Sequence, residues 1–332
     1  MKPVASLSLD LDNQWSYMKT HGDAGWDAYP SYLDVVVPRV LDFLAARGLR
    51  ITFFVVGQDA ALERNRDALA ALSAAGHEIG NHSFRHEPWL HLYSEEELET
   101  ELGQAEDAIG TATGQRPIGF RGPGYSLSET TLRVLVRRGY RYDASTLPTY
   151  IGPLARAFYF RTARLDDGQR HERAQLFGSF RDGMRPVGPY RWSVDDRTLL
   201  ELPVTTMPVV KMPVHVSYLL YLSAYSPALA RLYFATAMRA CRLAGIGPSI
   251  LLHPLDFLGA DDVDALAFFP GMALPLERKL DTVAASLELL TRQFDVRPVG
   301  EHAAELDRRT DLRVYPPRFD ASLPAEPDGR VA

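Results

Sequence analysis

Apolar positions along the chain switch regularly between two periods. Residues 4–11 form a short apolar run bounded by charge, which predicts a buried strand. Residues 32–47 then place Leu33, Val36, Val37, Val40, Leu41 and Leu44 at helical spacing and stop at Gly48. The alternation repeats with strand 51–56, a helix over 60–75 closed by Gly76, and strand 78–81. A helix over 94–114 follows, opened by Ser94 with Glu97 in capping-box spacing. Strand 117–120, helix 128–138 closed by Gly139, and strand 140–142 complete the first half. The rhythm resumes with strand 199–204, helix 228–244, strand 249–252, helix 277–294, strand 296–299 and a short helix 301–308. Strand–helix units of about thirty residues predict parallel βα construction. Seven or eight of them favour a closed or nearly closed barrel, and no glycine-rich phosphate-binding turn follows any strand, which weighs against a dinucleotide fold.

Three stretches leave the pattern. Residues 13–31 read as a polar, aromatic loop holding Trp15, Trp26 and Tyr29. Residues 145–197 hold many arginines, no lysine and several aromatics (Phe158, Tyr159, Phe160, Phe177, Phe180, Tyr190, Trp192), and read as an inserted excursion within one domain spanning 1–312. Residues 313–332, proline-rich from Pro316, are expected to be a poorly ordered tail.

Composition narrows the function. The net charge of −6 argues against a nucleic-acid partner. Cys241 stands alone, so no internal disulfide can form, which fits a reducing compartment. The run 1–10 is too short and meets acids too soon for a signal peptide, so a cytoplasmic location is expected. Residues 212–230 lack formal charge, yet Pro213, His215, Pro227 and several serines make them buried or interfacial rather than spanning.

The candidate chemistry centres on 76–86, where His82 and His86 stand four apart just after a strand. Two imidazoles at that spacing can reach one metal ion. Asp10 and Asp12 end the first strand, and a third ligand from there would complete a catalytic divalent site with one open position. Arg121 follows the fourth strand, Asp143 the fifth, and His253 the one before the last. All of these lie at carboxyl ends of strands, the face where barrel enzymes carry their chemistry.

The runs Ser8-Leu9-Asp10-Leu11-Asp12, His82-Ser83-Phe84-Arg85-His86, Phe120-Arg121-Gly122-Pro123-Gly124-Tyr125 and Leu251-Leu252-His253-Pro254 resemble the ordered motifs of the polysaccharide deacetylases, the NodB-homology group or carbohydrate esterase family four. The resemblance spans roughly 4–300 apart from the excursion. It implies a distorted (β/α)7-type, TIM-like barrel and a metal-dependent hydrolase of linear amide C–N bonds, removing an acetyl or formyl group from an amino sugar. In this reading Asp12, His82 and His86 hold the metal, for which zinc is the first expectation and cobalt, nickel and manganese suit the same donors. Asp10 is the general base, Arg121 pairs with it, and Tyr125 lends its backbone N–H to the oxyanion. His253 protonates the leaving nitrogen, a role the ordinary imidazole pKa suits. Asp143 orients His253 or Arg121, or caps the following turn. His21, His77, His91 and His215 are expected outside the ligand set.

Two departures from the family pattern matter. Leu11 separates Asp10 from Asp12, a spacing similar to that of the branch that deformylates a lipid-linked aminoarabinose. No acidic residue precedes His253 closely, which leaves Glu201 or Asp143 to tune it. Arginines suit phosphate recognition, and the Leu- and Tyr-rich run 212–234 suits a membrane interface. Together they point to a polyprenyl-phosphate-linked amino sugar met by peripheral contact with the inner face of the membrane, against the plainer reading of a solvated face and a barrel wall. Two other functions stay open: an amidohydrolase of small amides or ureides, and a non-catalytic carbohydrate-binding protein on the same barrel.

Overall fold

Strand β1 (Val4–Leu11) pairs in parallel with β2 (Thr52–Val55), β8 (Ser249–Leu252) and β9 (Asp295–Arg297). All eight of its residues are buried. Its alternation separates two environments: Ala5, Leu7, Leu9 and Leu11 join the main apolar core, while Ser6 meets His302, and Ser8 and Asp10 both meet Arg121. A strand covered on both faces loses the polar half of its pattern, which is why 4–11 reads as one apolar run. The computed structural model describes residues 2–152, 180–269 and 271–319. Phe158, Tyr159, Phe160 and Phe177 of the excursion lie outside these residues, as does the tail beyond 319.

From β2 the sheet continues through β3 (Glu78–Asn81), β4 (Gly119–Phe120), β5 (Tyr142–Asp143) and β7 (Arg197–Glu201), each parallel to the one before. Beyond β7 the N–H groups of Leu202 and Val204 donate to Asp143 and Thr146 carbonyls at 2.9 and 2.8 Å, and Thr205 N–H donates to Ser249 O at 3.0 Å. Thr205 Oγ1 accepts the Ser249 N–H at 2.7 Å. These bonds carry the chain from β5 across to β8 and close the ring. The result is a distorted (β/α)7-type barrel of β1–β5, β7 and β8. Strand β6 (Tyr190–Val194) lies outside it in an antiparallel hairpin with β7, and β10 (Val314–Tyr315) pairs with β6.

The hairpin resumes regular structure at Tyr190, before the end expected for the excursion at 197. The expected tail from 313 begins instead as β10, because Tyr315 packs edge-on against Tyr190 and Arg191 N–H bonds Arg313 O. The loop expected over 13–31 contains helix α1 (Gln14–His21), capped by Asn13 and ended by Gly22 at φ 91°. It buries only Trp15 and Ser16, too few for a helical apolar stripe.

Helix α2 (Leu33–Ala45) follows the predicted spacing. The single helix expected over 60–75 is two, α3 (Gly57–Ala61) and α4 (Arg66–Ala74). After α5 (Glu95–Thr113) and α6 (Glu129–Arg138), the uncharged run becomes α7 (Val216–Tyr225) and α8 (Pro227–Leu243), broken at Ser226. No helix among the described residues is long and apolar enough to cross a membrane. Helices α9 (Leu276–Gln293) and α10 (Val299–Asp307) complete the chain, and the start of α10 bonds Thr52 and Glu78. Helix α10 thus closes the amino ends of the strands and leaves the carboxyl ends for the site.

Candidate active site and metal centre

Asp12 stands just past β1, His82 just past β3, and His86 in the loop that follows. That loop turns through Ser83 at φ 63° and His86 at φ 54°, conformations that disfavour side-chain-bearing residues. Its amides are held: Asn81 accepts from Ser83 N–H at 2.8 Å, Ser83 Oγ from His86 N–H at 3.1 Å, and Glu101 of α5 from Phe84 and Arg85 N–H at 2.9 and 2.6 Å. The ligand atoms of Asp12, His82 and His86 all lie within 4.8 Å of one another. Asp12 Oδ1 is 3.0 Å from His86 Nε2 and 3.3 Å from His82 Nε2. His82 Nδ1–H donates to Arg121 O at 2.6 Å, which fixes the tautomer and leaves the Nε2 lone pair for a metal. Burial alone would raise the Asp12 carboxyl, but the imidazoles of His86 and His82 outweigh it and hold the group well below the usual range. Burial would likewise lower His82, and the carboxylates of Asp10 and Asp12 reverse that and raise it. One carboxylate and two imidazoles, that of His82 with its tautomer fixed, are a donor set that fits a divalent transition metal.

Arg121 is wholly buried. Its Nη1 donates to Asp10 Oδ1 at 2.7 Å and to Ser8 Oγ at 2.8 Å, its Nε donates to Ala144 O at 2.9 Å, and its guanidinium lies 4.3 Å above the Phe54 ring. Asp10 is therefore gripped at one oxygen, while Oδ2 takes no hydrogen bond among the described residues.

Tyr125 and Asp143 both take part in local turns. Tyr125 N–H, expected at the oxyanion, donates instead to Gly122 O at 3.0 Å. Gly124 at φ 57° and Tyr125 at φ 64° wind 123–125 into a tight 3-10 turn whose closing bond uses that amide. Asp143 makes no hydrogen bond to Arg121 or His253 among the described residues. It accepts from Ser145 Oγ at 2.5 Å, and Ser145 Oγ accepts from Gly122 N–H at 2.8 Å, so Asp143 braces the turn after Arg121. On the neighbouring strand Glu201 faces it, and burial together with the Asp143 charge pushes the Glu201 carboxyl well above its usual range. Glu201 accepts from Thr146 and Trp192 and does not reach His253 among the described residues.

The surroundings of His253 hold what sequence reasoning missed. Its backbone N–H donates to Asp256 Oδ2 at 2.8 Å, and Ser217 Oγ donates to Asp256 Oδ1 at 2.6 Å. His215 stacks on His253 with ring centres 4.6 Å apart and an interplanar angle of 24°. Asp256 follows His253 by three residues, the spacing at which a carboxylate reaches back to a cap amide, and that was the available signal. Nothing in the sequence marked His215, which lies on a different element. His253 Nδ1 is buried and has no hydrogen-bond partner among the described residues.

Residues 23–142 match the family model described as polysaccharide deacetylase, a span that includes His82, His86, Arg121 and Tyr125. Over this span the chain is similar to the polysaccharide deacetylases. It is 25% identical over 173 residues to a peptidoglycan deacetylase of Helicobacter pylori, covering 49% of this chain and 55% of that protein. To a peptidoglycan-N-acetylmuramic acid deacetylase of Bacillus subtilis it is 32% identical over 111 residues, 33% of this chain and 41% of that one. The chain thus spans about half the length of the curated relatives it matches. A solved structure from Mycobacterium smegmatis, assigned to the polysaccharide deacetylases, shares the fold over 97% of this chain and 96% of its own, with a TM-score of 0.62 and 19% identity. The family match covers His82 and His86, and the ends of β1 and β8 add Asp10, Asp12 and His253 around them.

Proposed function

We propose that the chain is a metal-dependent N-deacylase that removes an acetyl group from an amino sugar of a glycan or glycan precursor. The observation that carries this reading is the convergence of Asp12, His82 and His86 donor atoms within 4.8 Å. A divalent cation held by these three residues would supply charge to polarise the acyl carbonyl and acidify a nearby water. Asp10 is held at Oδ1 by Arg121, which leaves Oδ2 to take the proton of the attacking water. His253 gives a proton to the sugar nitrogen as the C–N bond breaks, so the products are a free amine and a carboxylate. The peptidoglycan deacetylases among the relatives support an N-acetylated sugar, and the assembled base, ligands and arginine argue against a retired site.

The test is mass spectrometry of a substrate panel incubated with zinc-reconstituted protein, with Asp10→Asn as control. The panel contains peptidoglycan fragments, chito-oligosaccharides, and polyprenyl-phosphate-linked N-acetyl and N-formyl sugars. Loss of one acetyl group from a glycan member, absent with Asp10→Asn, is expected. Turnover confined to the N-formyl lipid-linked sugars would overturn the acetyl assignment, and no turnover with a filled metal site would overturn the function.

A further inference from the structure

The oxyanion that develops in the proposed reaction is stabilised by every preorganised N–H that faces the site. His215 meets the requirements. It is buried, 8% exposed, stacks on His253 at 4.6 Å, and lies 5.1 Å from the tilted ring of Tyr218. Its tautomer follows from one bond. Ser217 N–H donates to His215 Nδ1 at 3.2 Å, and a backbone amide can only donate, so Nδ1 is the acceptor and the proton of the neutral ring is on Nε2. That Nε2–H finds no acceptor among the described residues, and it is not one of the buried atoms left without a partner.

The ring is also held neutral. Burial disfavours its cation, and His253 and Arg121 add to that, against the weaker pull of Asp12, so the group lies well below the usual imidazole range. The Asp256 carboxylate is occupied by Ser217 Oγ and the His253 amide. The chain Asp256–Ser217 ties the two histidine-bearing segments together and fixes the stack.

We propose that His215 is a preorganised hydrogen-bond donor, through Nε2–H, to the acyl oxygen of the bound substrate. The acyl oxygen and the leaving nitrogen are attached to one carbon, so the donors to each must stand side by side. Stacked rings do so, with His253 serving the nitrogen and His215 the oxygen. A neutral imidazole suits the oxyanion because it donates without drawing the proton that His253 must deliver. This inference rests on the deacylase reading above.

Two substitutions separate the donor from the helix cap. His215→Asn keeps an acceptor at the Nδ1 position, where it caps α7, and loses the Nε2 donor. His215→Gln keeps an amide N–H near the Nε2 position and loses the cap. The expected result is that His215→Asn lowers kcat roughly 100-fold or more, with KM, zinc stoichiometry and Tm near wild type. His215→Gln lowers Tm but keeps kcat within about tenfold. The reverse order, with activity following Tm, would reduce His215 to a cap and overturn the proposal. A second readout does not need turnover. In 15N-labelled zinc protein, His215 should remain the Nε2–H tautomer from pH 5.5 to 8.5, and its Nε2–H resonance should shift on titration with acetate, the acyl product. A ring that titrates near the ordinary imidazole pKa, or is unmoved by saturating acetate, would overturn the proposal even if the panel shows deacylation. If the panel shows none while the resonance shifts, the donor assignment stands and the deacylase reading falls.

Discussion

Asp59 gathers three donors on one oxygen: Asn13 Nδ2 at 2.7 Å, Trp15 Nε1 at 3.0 Å and Asn65 Nδ2 at 3.2 Å. Such bonds favour the anion, yet burial wins and pushes the carboxyl up to about 7. A folded pKa above the unfolded one means the contribution to stability is full below about pH 4 and is lost as pH rises toward about 7. A shift of about three units corresponds to roughly 4 kcal/mol at most. Asp59→Asn keeps the acceptor and removes the charge, so the urea midpoint should fall less between pH 5 and 8 than in the wild type. An unchanged slope would show that Asp59 is already charged in the fold. Lys279 is the opposite case, a buried cation pushed down to about 8 by burial. It donates to Leu255 O at 2.9 Å and Leu258 O at 2.7 Å, on either side of the turn after His253. Lys279→Met leaves both carbonyls unpaired and should cost about 2–5 kcal/mol in chemical denaturation. Zinc affinity, set on the other side of the site, should not change.

At the scale of elements, lumen packing depends on two glycines. A Cβ on Gly80 would lie 2.5 Å from the Phe54 ring, and one on Gly119 would lie 1.9 Å from the Tyr142 ring. Gly119→Ala should therefore cost about 1–3 kcal/mol or more through overpacking, read as a lower Tm with the strand register retained. The same elements explain what could be read in advance. Strands β1, β2 and β8 are buried on both faces, so their apolar runs and terminal acids or histidine stood out. Strands β4 and β5 have two residues each, and only the flanking Arg121 and Asp143 marked them. Helix α1 and strand β6 were obscure for different reasons: α1 buries one edge, and β6 lies outside the barrel. The ligands and the Asp10–Arg121 pair lie on consecutive motifs with local spacing. The His215–Ser217–Asp256–His253 arrangement is tertiary, joining α7 to the turn after β8 across 39 residues, and no local pattern encodes it.

For the whole molecule, the candidate metal centre is braced by hydrogen bonds from the chain's own residues. The loop 82–86 is held by Asn81, Ser83 and Glu101. Chelation should therefore leave far-UV circular dichroism unchanged at 25 °C while lowering the calorimetric Tm by roughly 3–8 °C, since metal at about one hundred times its Kd adds about 2.7 kcal/mol. Collapse of the far-UV signal on chelation would mean that the metal is part of the fold.

Arg121 and Asp10 also have a consequence for how the chain assembles. They lie 111 positions apart, Arg121 just past β4 and Asp10 on β1, with β2 and β3 between those strands in the sheet. A one-residue slip of β1 would turn Asp10 outward and present Leu9 or Leu11 to a buried guanidinium. An arginine sealed in the lumen without its carboxylate costs several kcal/mol, enough to disfavour the slipped barrel. The pair favours one register of the first strand: a nascent chain cannot satisfy it until residue 121 has emerged, and a slipped ring forfeits it. The proton acceptor of the proposed reaction thus also helps to fix the register of the fold.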